Sequence, residues 1–171
     1  MANDIELARE VILNPTGLGE GDLARTLDGL MSQGGVDNAD LYFQYVRSES
    51  WVLEDGKVKD ASYGVEKGVG VRAVSGEKSG LAYSDEISLT ALEQASQTVR
   101  AISRQGQQGS VQAWRGGAGR ELYAPRDPLG TLKDEEKVRL LEMVDADVRA
   151  QDTRVQQVIV SLAGVHGVVL V

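Results

Sequence analysis

The stretch from Asp40 to Asp85, DLYFQYVRSESWVLEDGKVKDASYGVEKGVGVRAVSGEKSGLAYSD, constrains this chain more than any other. Its apolar residues recur at alternate positions. That is strand spacing, because successive side chains of a strand point to opposite faces. Leu41, Phe43, Tyr45, Trp51 and Leu53 all take odd positions and therefore one face. Asp55-Gly56 is a hairpin signal, because a type I′ turn needs positive φ at both central residues. Breaks near Lys67-Gly68 and at Ser75-Gly76 divide the stretch into four strands, and short turns imply an antiparallel meander. The polar run Arg47-Ser48-Glu49-Ser50 reads as a bulge or as a passage of the strand beyond the core.

After the hairpin, Val58, Tyr63 and Val65 lie on one strand. The next places Val69, Val71 and Ala73 on one face and Gly68, Gly70 and Arg72 on the other. Glycine weakens a strand and marks close approach by another backbone or a helix. Gly80 and Ala82 repeat the small-residue face in the fourth strand, opposite Leu81 and Tyr83.

Helical spacing flanks the meander. Leu7, Ala8, Val11 and Ile12 stripe a helix over 4–13 that Asn14-Pro15 stops. Leu23, Leu27, Leu30 and Met31 stripe a second from Asp22 to Gln33, capped by Asp22 and ended by Gly34-Gly35. The clearest helix is 88–104. Ser88 caps it, Leu89, Leu92, Ala95, Val99 and Ile102 line it, and Arg100 and Arg104 suit its C-terminal dipole. A Gly-, Gln- and Pro-rich connection over 105–130 holds Trp114 and Arg115-Gly116-Gly117. A helix over 132–150 follows, with Val138, Leu141, Val144 and Val148 inward and Thr131 with Asp134 as a capping-box variant. Val155 to Leu162 reads as a strand, Ala163-Gly164 as a turn, and His166 to Val171 as the start of another strand. An apolar end at Val168–Val171 is expected of a fragment, since it leaves backbone groups without partners. The fold class is α+β: a twisted, mostly antiparallel sheet, with its meander from about 40 to 85, and amphipathic helices packed on it.

Chemistry-bearing residues are sparse. A formal charge of −8 argues against nucleic-acid binding, which draws most of its affinity from a basic surface. With no cysteine there is no disulfide and no thiolate metal site. No apolar run is long enough to span a membrane, and the start lacks the layout of a signal peptide. His166 is the only histidine, which excludes a metal site built from several histidines of this chain; it reads as a surface or edge residue. Adjacent helical residues diverge, so Asp134-Glu135-Glu136 reads as a solvated first turn rather than a metal cluster. Glu49, Glu54, Asp55 and Asp60 around the first hairpin would border a substrate groove or simply protect a strand edge. Gly68-Val69-Gly70 and Gly116-Gly117 match neither GxxxxGK followed by Ser or Thr nor GxGxxG between strand and helix, and therefore give no nucleotide loop. Phe43, Tyr45 and Trp51 read as core rather than as a base-stacking platform.

The run from Glu49 to Ala95, ESWVLEDGKVKDASYGVEKGVGVRAVSGEKSGLAYSDEISLTALEQA, resembles the N-terminal domain of the TldD/PmbA (TldE) family of metalloproteases, also called modulators of DNA gyrase. The likeness extends through ADLYFQ (Ala39 to Gln44), DPLGTLKDEEKVRLLEMVD (Asp127 to Asp145) and RVQQVIVSLAGV (Arg154 to Val165). ESWVLEDG with GVGVRAVSGEKSG favours the TldD branch. The resemblance implies that residues 1–171 are an N-terminal domain, incomplete at its C-terminal end and lacking the catalytic C-terminal domain. It also implies a cytoplasmic protease that pairs with a homologous PmbA/TldE-like subunit and cuts unfolded or flexible peptides in an enclosed cavity. The implied cofactor is zinc, held by an HExxxH helix of the missing domain. No HExxxH occurs here, so no catalytic or metal residue is carried over to this chain, no zinc is expected on it, and its substrate-binding residues stay unassigned. The implied role is scaffold, cavity wall and assembly surface, with the Glu49–Lys59 hairpin as the wall element; an exposed strand edge would hold an extended peptide by β-augmentation. The alternative is a stand-alone binding or assembly module from the same family.

Overall fold

Asp55 and Gly56 hold φ values of 50° and 70°, the left-handed pair that a type I′ turn requires. They join two long strands, β1 (Asn38–Glu54) and β2 (Lys57–Ser75). Gly76, at φ 59°, turns the chain into β3 (Lys78–Ser84). β4 (Ile159–Leu170) completes an antiparallel four-stranded sheet of order β3-β2-β1-β4. The helices are α1 (Ala2–Ala8), α2 (Glu20–Met31), α3 (Leu89–Ser103) and α4 (Asp134–Gln151). The computed structural model describes residues 2–32, 35–103 and 126–171; the expected connection around Trp114 lies outside them, apart from its last residues.

The α+β class and the antiparallel meander hold, but the meander has three strands where the sequence suggests four. β2 runs unbroken through Lys67-Gly68, and neither Gly68 nor Gly70 takes positive φ. Gly68 instead makes room: a Cβ there would lie 2.7 Å from the Ser84 carbonyl oxygen. β1 likewise runs unbroken through Arg47–Ser50. β4 is one strand, with no turn at Ala163-Gly164. A Cβ at Gly164 would meet the Leu129 side chain at 2.5 Å, so this glycine too serves close packing.

The described residues form two units. The first holds 2–32, 35–45, 66–103 and 168–171; the second holds 46–65 and 126–167. In the first, α1 continues as a π-helical turn (Arg9–Leu13) and a 3-10 turn (Asn14–Thr16). Ile12, Leu30, Phe43, Val71, Leu92 and Val99 are buried together, joining helix stripes to the odd-numbered face of β1 and β2. The register pairs Val71 with Ala82 and Ala73 with Gly80. Gly80 and Ala82 therefore share the core face, where α3 packs on β3, rather than the face of Gly68 and Gly70. Ser88 caps α3 by accepting from the Ala91 N–H at 3.1 Å. Leu89, expected in its stripe, is exposed, and Ala91 and Ser96 are buried in the helix face with Leu92, Ala95 and Val99. α2 starts two residues earlier than its pattern suggests. Gly19 is the N-cap, and Asp22, one turn in, accepts from the Gly19 N–H at 2.8 Å.

In the second unit, Leu53, Leu129, Leu141 and Val158 are buried. Asp55 donates its N–H to the Val158 carbonyl at 3.0 Å, tying the hairpin tip to the start of β4. Lys133 is the N-cap of α4, with its N–H donated to Glu136 at 2.8 Å, so the expected Thr131–Asp134 cap is not used. The buried positions of α4 are Lys137, Leu141 and Asp145, an i, i+4 row. Val144 and Val148 are exposed, contrary to the apolar stripe expected from the sequence. Lys137 faces inward to the Glu49 carboxylate of the hairpin, and Asp145, paired with Arg149 one turn on, is the second ionic residue buried on this face.

Candidate functional site

Among the described residues of the first unit, the sheet face opposite the helices is open. Gly70 pairs with Tyr83, and Arg72 with Leu81, which places these four side-chain positions on one surface with Asp40, Tyr42 and Gln44 of β1. The result is a groove of about 590 Å3. That volume lies within the ordinary range for ligand clefts, roughly 300–1,000 Å3. Its floor is backbone, because Gly68 and Gly70 carry no side chains. Its walls are aromatic and aliphatic: Tyr83 is 85% exposed, Leu81 63% and Tyr42 41%. An apolar surface this open on a protein of −8 charge needs a reason, since scattered apolar residues are ordinary but a contiguous patch is not. At one end Arg72 donates to Asp40, Nε to Oδ2 at 2.7 Å, and the Asp40 hydrogen bond raises the guanidinium pKa further above its ordinary value. Lys67, Glu66 and Asp85 rim the groove.

The second unit holds the acidic residues singled out around the hairpin. Glu49 is not a groove residue: its Oε2 accepts from the buried Lys137 ammonium at 2.7 Å. Lys137 Nζ also donates to the Leu129 carbonyl at 3.2 Å and lies 5.9 Å from the Trp51 ring centroid. The Glu49 hydrogen bond holds this ammonium above its ordinary pKa, against the opposing effect of burial. Glu54 pairs with Lys59 at 2.9 Å and accepts from Gln157 at 2.8 Å, which hold its carboxyl below the usual range. Asp55 accepts from the Val158 N–H at 3.1 Å and from Arg149, and is lowered likewise, the backbone bond first. Asp60 is exposed on β2. The acidic hairpin residues thus secure α4 and β4, apart from Asp60.

The sequence carries no signal for one further cluster. Asp127 accepts from Arg47 at Oδ2 and from the Leu129 N–H at Oδ1, 3.0 Å, and His166 Nδ1 lies 3.8 Å from that same Oδ1. Burial works to raise the Asp127 pKa. The bonds from Arg47 and Leu129, with the charges of Arg47 and His166, outweigh it and hold the carboxyl low. His166 lies within the edge strand β4, as the edge reading expects, with its side chain largely buried rather than on the surface. Asp134, Glu135 and Glu136 are exposed in the first turn of α4. Phe43 is buried in the first core and Tyr45 packs against that core, while Trp51 stands in the second unit beside Lys137.

A metal needs converging donors. Among the described residues no group of three or more His, Cys, Asp or Glu side chains forms one. The pair that does meet, Asp127 and His166, has its carboxylate already committed to Arg47. This donor set does not fit a zinc ion. Among the described residues no helix is long and apolar enough to cross a membrane.

Comparison with known proteins bears on what surrounds these surfaces. The family described as PmbA/TldA metallopeptidase domain 1 matches residues 39–103. The chain is 44% identical over 162 residues to a metalloprotease TldD homolog of Haemophilus influenzae, covering 94% of this chain and 33% of that protein. It is 34% identical over 167 residues to a metalloprotease TldD homolog of Buchnera aphidicola subsp. Schizaphis graminum, covering 98% and 34%. The chain therefore spans about a third of the length of the curated relatives it matches. Among solved structures, a protein from Bacteroides thetaiotaomicron described as a candidate modulator of DNA gyrase superposes with TM-score 0.62 at 16% identity, over 86% of this chain and 35% of that one. TldE from Thermococcus kodakarensis superposes with TM-score 0.60 at 15% identity, over 87% and 34%. At these identities the structures speak for the fold alone.

Proposed function

This chain belongs to the PmbA/TldD metallopeptidase family through that family's first domain, and from this premise we propose that it is the non-catalytic N-terminal part of a TldD-like zinc protease. In this reading the chemistry belongs to sequence beyond these 171 residues. The chain supplies scaffold, cavity wall and assembly surface for a cytoplasmic heterodimer with a PmbA/TldE-like subunit. The substrate is an unfolded or flexible peptide.

The observation that carries the proposal is open binding surface: the described residues offer a bare sheet face and a long hairpin arm. β3 pairs with β2 only over Val69–Ser75, so among the described residues the earlier part of β2 has a free edge. A free edge binds extended main chain whatever the side chains are, which is what a protease for unfolded peptides requires.

The test alters the exposed hairpin arm in the full-length protein assembled with its partner. Val58→Lys with Asp60→Lys adds two long cations to the β2 arm without touching the ion pairs that hold α4. The expected outcome is at least a tenfold loss of peptide cleavage or a loss of assembly. Unchanged cleavage together with unchanged assembly would refute the wall assignment.

A further inference from the structure

In the first unit, α2 and α3 border a cleft of about 400 Å3 lined by Asp22, Arg25, Thr26, Glu93, Ser96 and Arg100, among others. Three observations set it apart from an ordinary interhelical groove. Ser96 is 4% exposed, yet its hydroxyl has no hydrogen-bond partner among the described residues. A serine within a helix normally bonds back to the carbonyl one turn earlier or points to water; this one does neither. Arg100 Nε, one turn further along the same face, is also buried without a partner, and no carboxylate among the described residues pairs with its guanidinium. A buried polar group left unmatched costs about 1–3 kcal/mol, more if charged.

The third observation is Gly29, in the interior of α2. A Cβ there would lie 3.0 Å from Arg100 Nη2. Glycine in a helix interior costs about 1 kcal/mol relative to alanine, and here its effect is to leave space for the guanidinium. Arg25 is not equivalent to Arg100, since it is engaged by Asp22 and by the Gly21 carbonyl at 3.2 Å.

We infer that this cleft binds a carboxylate, taken by the fork of Arg100 and by the Ser96 hydroxyl as donor. A planar guanidinium matches a carboxylate through two parallel N–H bonds. The charges choose between oxyanions. Asp22 and Glu93 offset Arg25 and Arg100, so the lining is close to neutral in sum and accepts a monoanion with less repulsion than a phosphate dianion. The carboxylate belongs either to a small organic acid or to a peptide end; the groove chemistry is the same for both. The site is separate from the sheet-face groove and does not depend on the proteolytic reading.

The test is an NMR titration of the 15N-labelled chain at pH 7 and constant ionic strength. Acetate, N-acetylglycylglycine and inorganic phosphate are added separately, and the Ser96 and Arg100 amides and the Arg100 Nε–H are followed. Acetate or N-acetylglycylglycine is expected to give saturable shifts along α2 and α3, with phosphate weaker. Preference for N-acetylglycylglycine identifies a peptide end, and equal affinity identifies a bare carboxylate. Arg100→Met is expected to weaken binding at least tenfold. Ser96→Ala and Gly29→Ala should each weaken it severalfold while the spectrum outside the cleft stays that of the folded chain. No saturable shift with either carboxylate, tighter binding of phosphate, or binding unchanged in Arg100→Met and Ser96→Ala would overturn the inference.

Discussion

Glu49→Ala removes the carboxylate that faces the buried Lys137 ammonium, and its cost follows from the geometry. The ammonium side chain is 5% exposed and that of Glu49 13%. Breaking a buried ion pair from one side typically costs about 3–5 kcal/mol, because the other charge stays desolvated. Two features favour the low end. The Leu129 carbonyl still accepts from Nζ at 3.2 Å, and Asp134 lies 3.6 Å away at the exposed end of the helix. An upper bound also exists. At pH 7 the lysine would deprotonate once the penalty passed about 4.6 kcal/mol, the cost of neutralising an amine with an ordinary pKa near 10.4. About 3 kcal/mol is therefore expected, and at a urea m-value of about 2 kcal/mol/M it lowers the midpoint by about 1.5 M. The assay is urea unfolding of the 171-residue chain in a Trp114→Phe background, which leaves Trp51, beside Lys137, as the only tryptophan reporter. Glu49→Met with Lys137→Met should recover most of the loss, since a buried pair replaced by apolar groups of similar volume is often near neutral. A midpoint that Glu49→Ala barely moves, or a double substitution as damaging as the single one, would contradict this cost.

Other outcomes follow from the same geometry. The raised Lys137 pKa gives stability that is fully present below the ordinary lysine value and is lost as pH rises through the folded value. Urea midpoints should therefore fall above about pH 10 in the parent chain and less in the paired Met variant. The lowered Asp127 pKa gives stability present above the ordinary aspartate value and lost as pH falls below about 4. Asp127→Asn should lower stability at pH 7 and flatten that acid-side loss, read by circular dichroism across pH. Gly68→Ala drives a Cβ to 2.7 Å from a backbone oxygen that cannot rotate away, and should cost about 1–3 kcal/mol in thermal unfolding.

What could be read in advance depended on whether the information was local. The Asp55-Gly56 turn, the Ser75-Gly76 turn, the Ser88 cap and the alternation of Leu41, Phe43, Val69 and Val71 are local signals, and the structure keeps all of them. Gly68 and Gly164 misled because a glycine that turns a chain and one that yields to a neighbour look alike in sequence. The neighbours, Ser84 and Leu129, are distant in the chain. The phase of α4 misled for a related reason. The spacing places Leu141 inward, as found, but Lys137 is buried one turn before it, held by Glu49 from 88 residues away, and Val144 and Val148 are exposed. The sheet-face groove is half legible in the sequence: alternation puts Gly68, Gly70 and Arg72 on one face. Tyr83 and Leu81 joined that face only through the β2–β3 register.

Under the proposed function, these residues hold and shape a peptide site without performing the cleavage. A single purified preparation tests it. The 171-residue chain is incubated with one equivalent of zinc, metal uptake is measured after dialysis, and hydrolysis of an unstructured peptide is followed. No stoichiometric zinc and no turnover are expected. Zinc bound one to one, with peptide cleavage that disappears in His166→Ala, would contradict it.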